Sequence, residues 1–156
     1  MKAVIAALLV FAPVPAHAEF DPIAFFRGRT HGEATIRIIF QSGKHLVVDS
    51  IGRAEPGGTL LLEQHIQQQG KKARTRYWRM RKTGPHRFAG VLSDATGPVS
   101  VDVVGDSVRI RYTDKDHLSF EQWLRPEGPR LVRNQMRVKR FGLVVAHVDE
   151  LIRKLD

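Results

Sequence analysis

The stretch VSVDVVGDSVRIRYT, Val99 to Thr113, holds the key to the fold. After the Gly105-Asp106 turn, Val108, Ile110 and Tyr112 fall on one side of the chain and Arg109 and Arg111 on the other. That period of two is the signature of a β-strand with one face in a core and one in water. A Gly-Asp pair between two such runs marks a hairpin. The same punctuation extends in both directions, through Ser42-Gly43, Pro56-Gly57-Gly58, Gly70-Lys71, Gly84-Pro85, Gly97-Pro98, Asp114-Lys115-Asp116, Pro126 to Pro129, and Gly142. Breakers at intervals of roughly 8 to 14 residues suit a meander of short strands and leave little room for helix pairs between them. Alternation predicts ten strands, at 33–41, 44–54, 59–69, 72–82, 87–92, 98–104, 107–113, 118–125, 130–140 and 143–149. In the first of them Ala34, Ile36, Ile38 and Phe40 share a face; in the eighth Leu118, Phe120 and Leu124 do. The fold class is all-β: one antiparallel meander closed into a barrel, which leaves no exposed edge, with a two-sheet sandwich as the competitor. Helix is expected only at Asp21 to Phe26, where Asp21 can cap and Pro22 suits the first helical position, and at His147 to Leu155 as an alternative ending to the last strand.

Composition bounds the rest. The chain has 156 residues, 42% of them hydrophobic and 26% charged, and no cysteine, which excludes disulfides, thiolate metal sites and a cysteine nucleophile. Residues 1–18 read as a cleavable signal: Lys2, then the apolar run Ala3 to Ala12, then Pro13 and Pro15, and a small-x-small site at Ala16-His17-Ala18. The run is too short to cross a bilayer. The expected mature chain is a single domain, 19–156, located in the periplasm, with the formal charge of +9 reduced by one through loss of Lys2.

Chemical motifs are mostly missing. The sequence has no Gly-x-Ser-x-Gly, phosphate loop, Gly-x-Gly-x-x-Gly or His-Glu-x-x-His, and its seven histidines are scattered. Asp114-Lys115-Asp116-His117 could hold a metal, but it lacks the further ligands of a calcium loop and reads as a solvated hairpin turn. No metal or cofactor is expected. From Lys71 to Arg87 there are eight Lys/Arg and no acid, with Tyr77, Trp78 and Phe88 among them. Lys71, Lys72, Arg74, Arg79 and Arg81 could contact anionic lipid, lipopolysaccharide or an acidic partner, or simply form a solvated positive face. If Trp78 and Met80 point inward, Arg74 and Arg76 share their face, whereas Tyr77, Arg79 and Arg81 point out. An inward guanidinium needs an acid, an amide or an anionic ligand. Asp94 is the acid nominated as its partner. Asn134 likewise sits on the apolar face of Val132, Met136 and Val138, while Arg133, Gln135, Arg137 and Lys139 face water; a satisfied core network is the alternative to a ligand contact at both places.

The order of Phe20-Asp21-Pro22, Phe26-x-Gly28, Arg76-Tyr77-Trp78, Gly90 through Asp94, Gly97, Phe120-Glu121-Gln122-Trp123, Asn134 and Arg140-Phe141-Gly142 resembles the DUF3833 family of proteobacterial envelope proteins, many of them lipoproteins without an established function. The resemblance covers nearly all of the mature chain. It implies a lipocalin-like barrel and marks Arg76, Trp78, Asp94, Trp123 and Asn134. This chain departs from the pattern in lacking a lipobox cysteine, in having Glu121-Gln122 where two aspartates are usual, and in having Ala146-His147 where a Gly-Glu pair is usual.

The leading expectation is a non-enzymatic, monomeric module of the envelope that holds a small apolar or acyl ligand, such as a fatty acid or lipid, with Arg76 at its anionic head and Trp78, Asp94, Trp123 and Asn134 around it. The alternative is an interaction protein that uses the Lys71–Arg87 face on an anionic membrane surface. Nucleic acid is not an expected partner of an exported chain. An enzyme using Asp94 with Asn134 or Glu121 as acid and base is the third reading.

Overall fold

The computed structural model describes residues 19–156, so the signal read at 1–18 lies outside the described residues. A five-residue helix, α1 (Pro22–Phe26), precedes ten strands: β1 (Gly28–Ile38), β2 (Lys44–Glu55), β3 (Thr59–Gln68), β4 (Arg74–Gly84), β5 (Arg87–Leu92), β6 (Val99–Val104), β7 (Ser107–Thr113), β8 (Leu118–Gly128), β9 (Leu131–Arg140) and β10 (Leu143–Lys154). Each strand pairs antiparallel with its neighbour in sequence. The meander closes where β1 meets β10, from Thr30↔Lys154 to Ile38↔Ala146. Closure settles the choice between barrel and sandwich and leaves no strand edge to manage.

Alternation explains the interior. Leu60 and Leu62, Trp78 and Met80, Val99 and Val101, Val108 and Ile110, and Leu124 and Val132 are all buried, with the intervening residues outside. Burying a side chain of this size stabilises by about 1.5–3 kcal/mol. One end of the barrel is stoppered. The Asp21 carboxylate accepts from Ile23 N at 2.8 Å and caps α1, whose Phe25 and Phe26 turn into the core. Gly52 makes this possible, since a Cβ there would collide with the Phe26 carbonyl. Lys154 Nζ donates to the Phe25 carbonyl at 2.8 Å and ties the last strand to the plug. The opposite, open end carries the turns 39–43, 69–73, 93–98, 114–117 and 141–142.

Three expectations are corrected. Strand β1 begins at Gly28 instead of 33, and Phe40 is no core residue: it sits in the turn after β1 at φ 60° and is 99% exposed. The segment His147 to Leu155 is not helical; β10 runs through to Lys154. Its Ala146, Val148, Glu150 and Ile152 are buried, so the inward row contains an acid.

Candidate functional site

Register brings polar side chains together inside the barrel. Arg76 lies opposite Gln64, Gln64 opposite Ser50, and Ser50 opposite Thr30, so one inward-facing row runs across four strands. Gln64 is the hub. Its Oε1 accepts from Trp78 Nε1 at 2.7 Å and from Arg76 Nε at 2.8 Å, and its Nε2 donates to Ser50 Oγ at 3.2 Å. Trp78 also meets Tyr112 edge-on, with ring centroids 5.8 Å apart, and the Arg76 guanidinium lies 5.6 Å from the Trp78 ring. The Tyr112 hydroxyl is held above its usual pKa by burial, against the opposing pull of Arg76.

Across the lumen, Asn134 Nδ2 donates to Glu150 Oε2 at 2.8 Å. Both residues are buried, and Glu150 occupies space left by Gly32, where a Cβ would collide with its carboxyl group. Burial pushes the Glu150 carboxyl above the ordinary carboxylate range, opposed by the Asn134 bond and by the charge of Arg76. Glu150 faces inward because the β9–β10 ladder shifts by one residue between Val144 and Ala146. Such a bulge reverses which residues beyond it face the core. Asn134 Oδ1 is buried without a hydrogen-bond partner.

Between these groups lies a cavity of about 40 Å³, lined by Phe26, Gln64, Arg76, Trp78, Asn134 and Glu150 among others. Binding sites for drug-sized molecules occupy about 300–1,000 Å³. The lumen is therefore nearly filled by its own side chains. It has room for a few waters or one small head group.

The sequence-derived candidates separate into groups. Arg76, Trp78 and Asn134 meet in the lumen as expected. Asp94 does not partner Arg76: it lies at the open mouth, where its carboxylate pairs with Arg74 and its Oδ1 accepts from Ser93 Oγ at 3.1 Å. Among the described residues Arg76 makes no ion pair, and its recorded hydrogen bond goes to the Gln64 amide. Trp123 lies outside. It faces the outer wall with the Arg109 guanidinium 5.4 Å from its ring, beside an open groove that includes Arg37, Arg125 and Arg137. Glu121 is the anchor of that wall, bound by Arg109 Nη2 at 2.6 Å and by Arg137, which hold its carboxyl at about 2. Asp94, Asn134 and Glu121 thus occupy three separate places and make no acid–base site. Nor do the basic residues form one face. Lys71 and Lys72 are exposed at the open end, Arg79 pairs with Glu55 at 3.1 Å on the wall, and Arg81 is exposed nearer the stoppered end. Sequence reasoning missed Gln64 and Glu150; the hairpin centred on Gly70 offers a signal for Gln64, since it sets 64 opposite 76.

Among solved structures the chain is similar to the S-type phycobiliprotein lyase CPES from Guillardia theta, at TM-score 0.69 and 9% identity over 86% of this chain and 90% of that one. It is also similar to Rv2717c from M. tuberculosis, at TM-score 0.61 and 9% identity over 88% and 100%. At such identities the likeness is one of fold. No curated protein matches. A family model for a protein of unknown function, DUF3833, matches residues 14–154, from just before the described chain to the final strand, and the protein therefore belongs to the DUF3833 family.

Proposed function

We propose that this is an exported barrel of the cell envelope that binds a small ligand by placing the ligand's anionic group on Arg76. The observation that carries this reading is the state of Arg76 itself. A half-buried guanidinium has five N–H donors, and here its partners are neutral: the Gln64 amide, the Tyr112 hydroxyl and the face of the Trp78 ring, with no carboxylate paired to it among the described residues. Carboxylate and phosphate groups fit its planar fork in a two-bond geometry that an amide does not use. Gln64, Trp78 and Tyr112 surround the side chain, which lines the cavity, and the stopper formed by α1 closes one end of the barrel. With about 40 Å³ free, the lumen takes a head group, and any acyl tail extends through the mouth.

Thermal shift with octanoate tests it. Wild type should gain stability by mass action on the folded state. The Arg76→Leu variant should fold and show no gain. Absence of a shift in wild type, or an equal shift in both proteins, overturns the reading. Export is checked separately by N-terminal sequencing of the periplasmic protein, which should begin at Glu19; an intact Met1 on cytoplasmic protein contradicts it.

A further inference from the structure

The open end of the barrel carries large apolar side chains where neither backbone nor solvent favours them. Phe141 and Gly142 form the two-residue connection between β9 and β10, both with positive φ, at 49° and 80°. Asn, Asp and Gly are the residues that suit such a hairpin. A phenylalanine there is strained, and little offsets the cost: the Arg140 guanidinium lies 5.5 Å from its ring, but Phe141 is 86% exposed, and Leu143 next to it 73%. The neighbouring turn repeats the pattern, with Phe40 at φ 60° and fully exposed, and Ile39 beside it. The two tips are held side by side, since Ile39 N donates to the Val145 carbonyl at 2.9 Å. Backbone strain tolerated at a surface position points to function.

The charge around these tips is of one sign. The turns at 39–43, 69–73 and 141–142 with their flanking residues bring Lys44, Lys71, Lys72, Lys139 and Arg140 to this half of the rim, and from 66 to 73 and from 138 to 148 there is no acid. Asp94, Asp114 and Asp116 belong to the other two turns of the mouth. Aromatic tips inside a ring of lysines match a bilayer interface, where ring side chains sit at head-group depth and lysines meet anionic phosphates. An acidic protein partner would use the charges but gives no reason for two phenylalanines in left-handed turns.

We infer that the three turns at 39–43, 69–73 and 141–142 form a docking surface for anionic phospholipid, with Phe40 and Phe141 entering the interface and Lys71, Lys72 and Arg140 held against the head groups. This site is separate from the lumen and does not depend on a lumenal ligand. Docking would set the barrel mouth against the lipid.

Co-sedimentation with phosphatidylglycerol vesicles tests it. Wild type should bind them at low salt, lose binding as salt rises, and leave phosphatidylcholine vesicles alone. Phe40→Gly/Phe141→Gly is the decisive variant, because glycine accepts positive φ and this protein should melt at or above the wild-type temperature while losing most of its binding. Lys71→Gln/Lys72→Gln should weaken binding by roughly fivefold per lysine. The inference fails if wild type ignores anionic vesicles or if the glycine variant binds them as well as wild type does. It also fails if wild type is a dimer that the glycine variant converts to monomer, since the tips would then be a contact between copies.

Discussion

Replacing Glu150 with glutamine should stabilise the protein at neutral pH and leave it unchanged in acid. The carboxyl is 7% exposed, sits over Gly32 and receives one recorded hydrogen bond, from Asn134. Its pKa is raised by burial above the ordinary 4.5, so above that pH the folded protein keeps a proton that the unfolded chain releases. Stability from this group is complete below about 4.5 and falls as pH rises, by about 1.4 kcal/mol per pH unit, until the folded carboxyl ionises. Glu150→Gln removes that dependence. The amide oxygen can still accept from Asn134 Nδ2, and its NH2 can donate to Asn134 Oδ1, as the O–H of the protonated carboxyl can in acid. The stability difference between variant and wild type should therefore open above about pH 4.5 at that slope. At roughly 4 °C per kcal/mol for a domain of this size, each pH unit widens the melting gap by about 5 °C. Calorimetry of both proteins from about pH 4.5 to about pH 8 measures it, and the subtraction cancels groups that titrate alike in both. A gap independent of pH, or a variant less stable than wild type at neutral pH, would refute the reasoning.

Trp78→Ala should cost about 3–5 kcal/mol, for lost packing in the core and for the bond removed from Gln64, while Tyr77→Ala on the outer face should cost less than about 1 kcal/mol; denaturation midpoints decide, and the reverse order would mean that the faces of β4 are misassigned. Glu121 titrates in the opposite sense to Glu150. Arg109 and Arg137 hold its carboxyl at about 2, so its contribution is complete above about 4.5 and is lost as pH falls toward 2. Both arginines are partly open to water, which limits the contribution to about 1–2 kcal/mol. Acid unfolding should show Glu121→Gln closing its stability deficit below about pH 4.5, and a deficit constant down to pH 2 would count against the ion pairs.

The fold was legible because its signals are local. Turn residues at short intervals and a period of two between them are properties of neighbouring residues, and they suffice for ten strands and for the inward placement of Arg76, Trp78 and Asn134. Which partner an inward side chain meets is a matter of register, and register depends on turns and bulges. For Arg76 the information was present: the turn centred on Gly70 sets it opposite Gln64, so the amide was its first partner and Asp94, nearer the rim, was left to Arg74. For Glu150 it was not. Without a bulge, the tight Phe141-Gly142 turn pairs 140 with 143 and would place Asp149 opposite Asn134, leaving Glu150 outside. The one-residue shift between Val144 and Ala146 exchanges the two acids. With an acid at an inward position, the apolar residues of the segment also mimic another period: Val148, Leu151, Ile152 and Leu155 fall at i, i+3, i+4 and i+7, which is why a helix competed with the strand. The bulge and the buried acid are thus one feature. A straight β10 would expose Glu150 and bury Asp149, whose carboxylate now accepts from Arg133 at 2.7 Å on the outer wall. The bulge keeps that ion pair in water and puts the longer carboxyl where Asn134 and the space above Gly32 receive it.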